Sequence, residues 1–426
     1  MASTFSSLRY PNYRIWFGAA LVANIGTWMQ RVGQDWVVLT QLTDNSGTAV
    51  GITTALQFLP FLLLSPYAGL LADRLDRRKL LMTTQAMMGV LALVLAALTL
   101  TDTVQLWHLY TLALLLGVAS AIDSPVRQTF VAALVPQDKL PNAIGLNSAS
   151  FNAARLIGPG VAGLLVAAVG AGWVFLINGV SFAATIVALA LMNTATLRVL
   201  PTATRSKGQI REAVRFVRGR SDIVVIMAVM AVVSMFGLNF QLTSALMARV
   251  EFGKGPGEYG VLGSVLAVGS LAGALLAARR DRPRVRLVLG AGFAFAAATT
   301  LNALMPSFLM FALTSIPVGL ASLTMITAAN ATLQTSVDPV MRGRVMALYM
   351  MVFLGATPVG APIVGWIGEV AGPRWAILSG SIATFLVVGA AAVWAVRNWK
   401  FRIEPHLRPW PRLDIVYPTT TVGAAA

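Results

Sequence analysis

The sequence predicts an all-α membrane protein with twelve transmembrane helices, arranged as two pseudo-symmetric halves of six helices each. Long apolar segments recur along the chain, and the basic residues fall in the short segments between them. Of the 426 residues, 57% are hydrophobic and only 11% are charged, whereas about 25% of the residues of a soluble domain are charged. A surface with so few charges suits lipid better than water.

Twelve segments are long and apolar enough to cross a hydrocarbon core, which requires about 20 mostly apolar residues in a helix. The predicted spans are residues 15–40, 47–72, 80–101, 105–126, 144–169, 172–196, 223–249, 257–279, 285–306, 308–331, 343–368 and 373–396. Only short glycine-containing breaks separate the fifth span from the sixth and the eleventh from the twelfth. These breaks are Gly170–Gly172 and Gly372–Pro373.

The distribution of lysine and arginine predicts the orientation. If the N-terminus is inside, the inner loops and the tail receive nearly all of these residues. The outer loops then hold only Arg249, Lys254 and Arg374. Cytoplasmic loops of membrane proteins carry this excess of positive charge. We therefore expect a multi-pass protein of the bacterial inner (plasma) membrane, surrounded by lipid, with both termini in the cytoplasm.

Several classes of function are disfavoured by composition. The net charge of +16 does not indicate nucleic-acid binding, because the cations are spread over loops and not gathered on one soluble face. Cysteine is absent and the only histidines are His108 and His406, so we expect no metal site. The spans lack the clustered nucleophiles, ligands or acid pairs of an intramembrane enzyme, so we expect no catalytic residues and no cofactor.

The two halves repeat in sequence at nearly one offset. At an offset of 202, the matched pairs are Gly158 and Gly360, Gly163 and Gly365, Gly170 and Gly372, and Trp173 and Trp375. At an offset of 205, Arg74 matches Arg279 and Asp76 matches Asp281. The predicted divisions are an N-terminal half at 1–196, a cytoplasmic linker at 197–222, a C-terminal half at 223–396 and a cytoplasmic tail at 397–426. Within the linker, Gln209–Val217 either lies along the membrane surface or is solvated.

The segment between the second and third spans carries the most specific motif. It reads Gly69-Leu-Leu-Ala-Asp73-Arg74-Leu-Asp76-Arg77-Arg78-Lys79 and resembles motif A of the major facilitator superfamily. Asp76 replaces a glycine that is common at that position. With an acidic residue there, the motif resembles that of the drug-exporter branch, which contains enterobactin exporters and macrolide-efflux proteins. The resemblance covers about residues 10–400, and it implies a transporter built from two six-helix repeats.

The resemblance also implies a conformational latch on the cytoplasmic side, formed by Gly69, Asp73, Arg74, Arg77 and Asp123. Asp73 would lie near the N-terminal end of the eleventh helix, whose dipole favours an anion. Arg77 would pair with Asp123 at the inner end of the fourth helix. The alternative is that these charges only determine the topology.

A second motif lies in the fifth span and reads Arg155-Leu-Ile-Gly158-Pro159-Gly160-Val-Ala-Gly163. It resembles a weakened motif C, a mark of exporters in this superfamily, in which Leu164 replaces the second of two paired glycines. The Gly-Pro pair bends the helix, and the small residues allow a neighbouring helix to approach closely. The alternative is ordinary helix packing without a role in export.

Four polar or aromatic residues lie on one face of the first span: Asn24, Trp28, Arg31 and Asp35. Because charges facing lipid are costly, this face must look into the protein or into an aqueous cavity. The resemblance implies that helices 1, 4, 7 and 10 line this cavity. Further candidates for coupling or substrate binding are Arg155, Asn239, Gln241 and Asn330.

Asp35 has two possible roles. It is the one acid that the predicted spans place well inside a crossing, so it is the candidate carrier of a coupling proton. It is also one turn from Arg31 and positioned to be its permanent partner. We expect a secondary active transporter that exports a small apolar or amphipathic compound of drug, macrolide or siderophore type by proton antiport. The alternative is an importer of a nutrient or metabolite with the same fold.

Reporter fusions test the predicted topology. Alkaline phosphatase fused at Asn45 or Gly170 should be active, because both positions are expected outside, where this enzyme folds. Fusions at Gly208 and in the tail should be inactive, while green fluorescent protein at the same two places should fluoresce. An active phosphatase at Gly208 would contradict the arrangement of two six-helix halves.

Overall fold

Helices account for most of the chain that the structure describes. A computed structural model describes residues 5–198, 209–278, 285–399, 402–406 and 412–416, without the side chains of 65–74, 209–210, 278, 339–340 and 398–416. The α-helices are α1 Pro11–Val37, α2 Gly47–Arg74, α3 Arg77–Leu100, α4 Leu106–Leu134, α5 Leu140–Val169, α6 Ala171–Leu191, α7 Gln209–Arg218, α8 Ser221–Val232, α9 Phe240–Leu246, α10 Pro256–Ala278, α11 Val285–Ala303, α12 Phe308–Ser336, α13 Pro339–Val370 and α14 Pro373–Trp399. Two strands follow, β1 Arg402–His406 and β2 Arg412–Val416, paired antiparallel.

The predicted membrane fold is confirmed. Eleven helical segments of the described chain are long and apolar enough to span a membrane. The twelfth crossing is α1, which has 27 residues but a polar face that carries Gln30, Arg31, Gln34 and Asp35. The seventh crossing consists of α8 and α9 together with π-helical turns at Val233–Gly237 and Met247–Glu251.

The glycines matched at an offset of 202 have equivalent contacts in the two halves. A Cβ atom on Gly158 of α5 would lie 2.6 Å from the Trp28 Cβ of α1, and one on Gly360 of α13 would clash with the seventh crossing at Met235. The helices that break at Gly170 and Gly372 do so with φ angles of 89° and 100°, a region that favours glycine. The sequence repeat therefore reflects repeated helix packing.

The two halves meet through glycine at two further crossings. A Cβ atom on Gly163 of α5 would lie 2.5 Å from the Pro256 carbonyl oxygen of α10, and its partner Gly365 of α13 lies against Gly47 of α2. Both contacts are near the ends of the helices that point away from the chain termini. We call this end of the bundle the distal end and the opposite one the terminal end.

Three features depart from the sequence prediction. The α4 helix continues to Leu134, eight residues past the predicted end at 126, so Arg127 is helical and not in a loop. The seventh crossing is not continuous, since it breaks at Leu238 and Asn239. The linker segment forms α7, which packs against α13. The Arg344 Nη1 atom of α13 donates a hydrogen bond to the Glu212 Oε2 atom of α7 at 2.5 Å.

Candidate functional site

A cavity of about 220 Å³ lies in the centre of the bundle, between helices of the two halves. In the first half its walls come from α1, α2 and α5, and in the second half from the seventh crossing, α10 and α13. The residues around it are Trp28, Arg31, Val32, Thr54, Phe58, Arg155, Pro159, Ser234, Leu238, Asn239, Phe240, Gln241, Leu242, Ser244, Tyr259, Gly263, Leu266, Phe353, Leu354 and Thr357. The wall is mostly apolar, with a small number of polar groups, as is typical of ligand sites.

The cavity contains most of the residues predicted for it. Trp28, Arg31, Arg155, Asn239 and Gln241 all line it. The expectation that helices 1, 4, 7 and 10 form the walls is wrong for two of the four. The described lining residues include none from α4 or from α12, the tenth crossing. In their place, α2, α5, α10 and α13 contribute to the walls.

Three predicted cavity residues are not part of its wall: Asp35, which is described below, Asn24 and Asn330. Asn24 accepts a hydrogen bond from the Arg127 Nη1 of α4 at 3.4 Å, toward the terminal end of the bundle. Asn330 is on α12, and its Oδ1 atom is buried without a hydrogen-bond partner among the described residues. Asn24 shares its helix face with Trp28 and Arg31, so its depth along α1 takes it away from the cavity.

The two arginines of the cavity share one aromatic ring. The guanidinium carbon of Arg31 lies 5.2 Å from the Trp28 ring centroid and 5.3 Å from that of Phe58. The guanidinium carbon of Arg155 lies 5.9 Å from the centroid of the same Trp28 ring. These distances are in the range of cation–π contacts. The Trp28 ring therefore positions two cations at the cavity wall.

Of the two roles open to Asp35, the pairing with Arg31 is not a direct contact in this structure, although the two groups are near enough to interact electrostatically. No pair joins them among the ion pairs of the described residues. Asp35 instead accepts a hydrogen bond at 3.1 Å from the hydroxyl group of Tyr259, which begins α10 in the other half. The exposed fraction of Asp35 is only 4%.

Tyr259 joins several groups at the distal end of the cavity. Its hydroxyl group also lies 3.3 Å from the Gln241 carbonyl oxygen of the seventh crossing, and its ring stacks on Trp36 with centroids 6.1 Å apart. Our sequence analysis missed Tyr259. The available signal was a polar hydroxyl group near the start of an otherwise apolar span.

The distal end of the bundle is closed by contacts between the halves. Besides the glycine crossings, the Glu369 Oε2 of α13 accepts hydrogen bonds from the Ser46 hydroxyl group at 2.8 Å and the Thr48 amide at 3.0 Å, at the start of α2. The Ser264 hydroxyl group of α10 donates to the Leu156 carbonyl oxygen of α5 at 2.7 Å. The cavity is thus separated from the distal side by packed helices.

The break in the seventh crossing places unsatisfied polar atoms beside the cavity. The Oδ1 atom of Asn239 and the Nε2 atom of Gln241 are buried without a hydrogen-bond partner among the described residues. Buried polar atoms in proteins are usually hydrogen-bonded. Broken helices at such depth are tolerated where they line a cavity, and in transporters they mark binding sites.

The latch motif is only partly within the described side chains. Gly69, Asp73 and Arg74 belong to the last turns of α2, whose side chains lie outside the described residues. Arg77 begins α3 and is half-buried, and its Nε atom has no hydrogen-bond partner among the described residues. Asp76 has a local role as the N-cap of α3, because its side chain accepts a hydrogen bond from the Lys79 amide at 2.9 Å.

Asp123 has partners other than the one predicted. Its carboxylate pairs with Arg127, one turn later on α4, with nitrogen and oxygen atoms 2.9 Å apart. It also accepts hydrogen bonds from Thr84 at 2.7 Å and Gln85 at 2.8 Å, both on α3. The predicted pairing of Asp123 with Arg77 is therefore wrong in this structure. Asp123 is a second buried acid, but a fully bonded one.

Twelve crossings around a central cavity, with glycine contacts repeated between two halves, define a transporter of the major facilitator superfamily. The chain belongs to the transmembrane secretion effector family, whose model matches residues 2–419. Among solved structures, a bacterial homolog of the human lysosomal transporter Spinster has a TM-score of 0.69 at 17% identity, covering 92% of this chain and 98% of that one. The nucleoside transporter NupG has a TM-score of 0.66 at 11% identity, covering 90% and 98%.

Several relatives match at low identity. The multidrug efflux pump Tap of Mycolicibacterium fortuitum is 26% identical, over 89% of this chain and 94% of that relative. Macrolide efflux protein A of Streptococcus pyogenes is 21% identical, over 92% of this chain and 98% of the relative. The staphyloferrin A transporter of Staphylococcus aureus is 29% identical, but that match spans 40% of this chain and 42% of the relative.

The buried pair of Asp123 and Arg127 should contribute strongly to stability. Arg127→Ala leaves a buried carboxylate without its cation, which costs about 3–5 kcal/mol in comparable cases. The apparent melting temperature of the detergent-solubilised protein, followed by size-exclusion chromatography after heating, should fall by several degrees. The double substitution Asp123→Asn with Arg127→Gln should recover most of the loss, because it removes both charges.

Arg286→Ala is the matched control, since Arg286 is exposed at the start of α11. It should leave the melting temperature unchanged. Equal melting temperatures for Arg127→Ala and Arg286→Ala would contradict the assignment of Asp123 and Arg127 as a stabilising buried pair.

Proposed function

We propose that this protein is a secondary active exporter of a small amphipathic compound, driven by proton antiport across the bacterial inner membrane. In this proposal both termini lie in the cytoplasm, so the distal end faces outward. The cavity of the present conformation is then closed to the outside. The two moving units are residues 1–196 and 223–396, joined by the linker at 197–222.

The hydrogen bond between Asp35 and Tyr259 is the observation that carries this proposal. It joins an acid of the first half to a hydroxyl group of the second half, at the closed end of the cavity. Burying a charged carboxylate costs far more than burying a neutral carboxyl group. Protonation of Asp35 therefore favours distal closure, and loss of the proton favours distal opening.

Antiport follows from this dependence. A proton from outside binds Asp35 when the distal end is open, which allows the halves to close there. The proton leaves to the cytoplasm when the terminal end is open, and substrate enters the cavity. Loss of the proton favours distal opening, and the bound substrate is carried outward in that movement, so that proton and substrate move in opposite directions.

Export rather than uptake is supported by the relatives and by the fifth helix. Tap and macrolide efflux protein A, which match nearly the whole chain, are both efflux proteins by name. Gly158 and Gly163 of α5 pack against α1 and α10, which gives the weakened exporter motif a position between the two halves. We assign the motif of Gly69, Asp73, Arg74 and Arg77 to the cytoplasmic latch, on the opposite side of the cavity.

Transport by Asp35→Asn tests the coupling. In inside-out vesicles with an acidic lumen, we expect gradient-driven accumulation to be lost, because the amide cannot release a proton. Downhill exchange of the same compound should persist, since the amide resembles the protonated side chain. Accumulation of a macrolide, a citrate-type siderophore and an aromatic carboxylate would be measured with wild-type protein to select the probe.

Two matched substitutions serve as controls. Asp44→Asn changes an exposed acid in the distal loop between α1 and α2 and should leave accumulation normal. The double substitution Asp123→Asn with Arg127→Gln tests the second buried acid without leaving an unpaired charge, and it should retain gradient-driven accumulation. If Asp35→Asn accumulates the probe at the wild-type rate, Asp35 is a structural residue only, and another group must carry the proton.

A further inference from the structure

We propose that the central cavity selects amphipathic anions, and that Arg31 and Arg155 bind the anionic group. This inference deepens the proposed function, on which it rests, by naming the chemical class of the substrate. An aromatic or aliphatic body with one carboxylate or similar group fits the cavity best. The evidence lies in its charges, its aromatic ring and its unsatisfied polar atoms.

The charge of the cavity wall has one sign. Arg31 and Arg155 are the only charged side chains among the described residues that line the cavity. Neither arginine belongs to an ion pair of the described residues. Asp35 is the nearest acid by sequence, but it is bonded to Tyr259 and does not line the cavity. The cavity therefore keeps a net positive charge even when Asp35 is ionised.

Unpaired arginines in a membrane-spanning region need a counter-charge. The aromatic rings of Trp28 and Phe58 stabilise the guanidinium groups only in part, since cation–π contacts do not neutralise charge. Arginine presents N–H donors in a planar fork that matches carboxylate geometry. An anion in contact with both Arg31 and Arg155, which share the Trp28 ring, would satisfy donors of both guanidinium groups.

The rest of the cavity fits an amphipathic molecule. Phe58, Phe240 and Phe353 provide apolar surface around the arginines. At the break of the seventh crossing, the Gln241 Nε2 atom is a donor and the Asn239 Oδ1 atom is an acceptor, and both lack partners among the described residues. A ligand with a polar substituent away from its anionic group can bind both. A cationic compound would meet repulsion from two arginines.

An anionic lipid headgroup would present the same chemistry as a soluble anion. The cavity is lined by helices of both halves, and the unsatisfied polar atoms of Asn239 and Gln241 lie in it opposite the helices that carry the two arginines. We assign the site to a transported small molecule. Lipid composition is therefore one variable of the experiment.

Equilibrium binding of three probes of matched shape tests the proposal. The probes are 2-naphthoic acid, 2-naphthamide and 2-naphthylmethylamine, which are anionic, neutral and cationic at neutral pH. Affinity would be measured calorimetrically with the full chain in phosphatidylcholine nanodiscs. We expect 2-naphthoate to bind at least about tenfold more tightly than 2-naphthamide, because hydrogen bonds to a charged group stabilise a complex more than those to a neutral group. The amine should bind most weakly.

Substitutions assign the preference to the two arginines. Arg31→Gln and Arg155→Gln should each lower 2-naphthoate affinity by about tenfold and leave 2-naphthamide affinity unchanged. Arg31→Lys keeps the charge and should retain most of the preference. Arg286→Gln is the control for charge loss at an exposed site. Unchanged 2-naphthamide affinity and monodisperse elution show that a variant folds. If a variant does not fold, the comparison of the three probes on wild-type protein alone tests the proposal.

Several results would overturn the proposal. These are equal binding of 2-naphthoate and 2-naphthamide, and a preference for the anion that persists in both arginine-to-glutamine variants. If phosphatidylglycerol in the nanodiscs abolishes 2-naphthoate binding by wild-type protein, the anion site belongs to lipid and the substrate assignment is wrong. Binding needs no proton gradient. Loss of anion preference would therefore leave the coupling role of Asp35 intact, and normal gradient-driven transport by Asp35→Asn would overturn that role alone.

Discussion

The cost of placing charge in hydrocarbon governs the arrangement of this transporter. The first helix carries Arg31 and Asp35 at a depth where lipid-facing charge is unfavourable, so α1 must turn this face toward the centre of the bundle. The same cost requires Arg155 of α5 to face inward. The other helices surround a cavity because these groups must lie in protein or in water.

Closure of the distal end combines rigid packing with a chemical contact. Glycines at equivalent positions of the two halves allow α5 to approach α10 and α13 to approach α2. Such small-residue contacts hold helices together without polar groups, so they do not respond to protons. The hydrogen bond between Asp35 and Tyr259 lies at the same end and is the contact whose charge can change. We infer that packing sets the geometry of the closed state and that the burial of Asp35 at this contact makes its stability depend on protonation.

The helices and the repeat were predictable from sequence, because they depend on local composition and on residues that recur at one offset. The breaks at Gly170 and Gly372 were also predictable, since both adopt a φ angle that favours glycine. Most cavity residues were predictable as well, because charged and polar side chains in a span are costly in lipid. A charge in a span has few places to point other than inward.

The partners of the charged residues were not predictable. Spacing of one turn allows Arg31 to pair with Asp35, but the choice is made by groups on other helices. The Trp28 and Phe58 rings hold Arg31, and the Tyr259 hydroxyl group holds Asp35. Asp123 likewise pairs with Arg127, because α4 extends further than its apolar residues indicate. Helix length and rotation are set by tertiary packing, which one sequence does not specify.

We infer that the protonation of Asp35 controls the distal contact between the halves. The most direct test is double electron–electron resonance between spin labels on cysteines introduced at Thr103 and Leu304. Both positions are exposed at the distal end, on different halves, and the natural chain has no cysteine that would be labelled as well. We predict that the distance lengthens for wild-type protein when the buffer changes from acidic to alkaline, and that Asp35→Asn keeps the short distance in both. A variant whose distance changes with pH as much as the wild type would contradict the account.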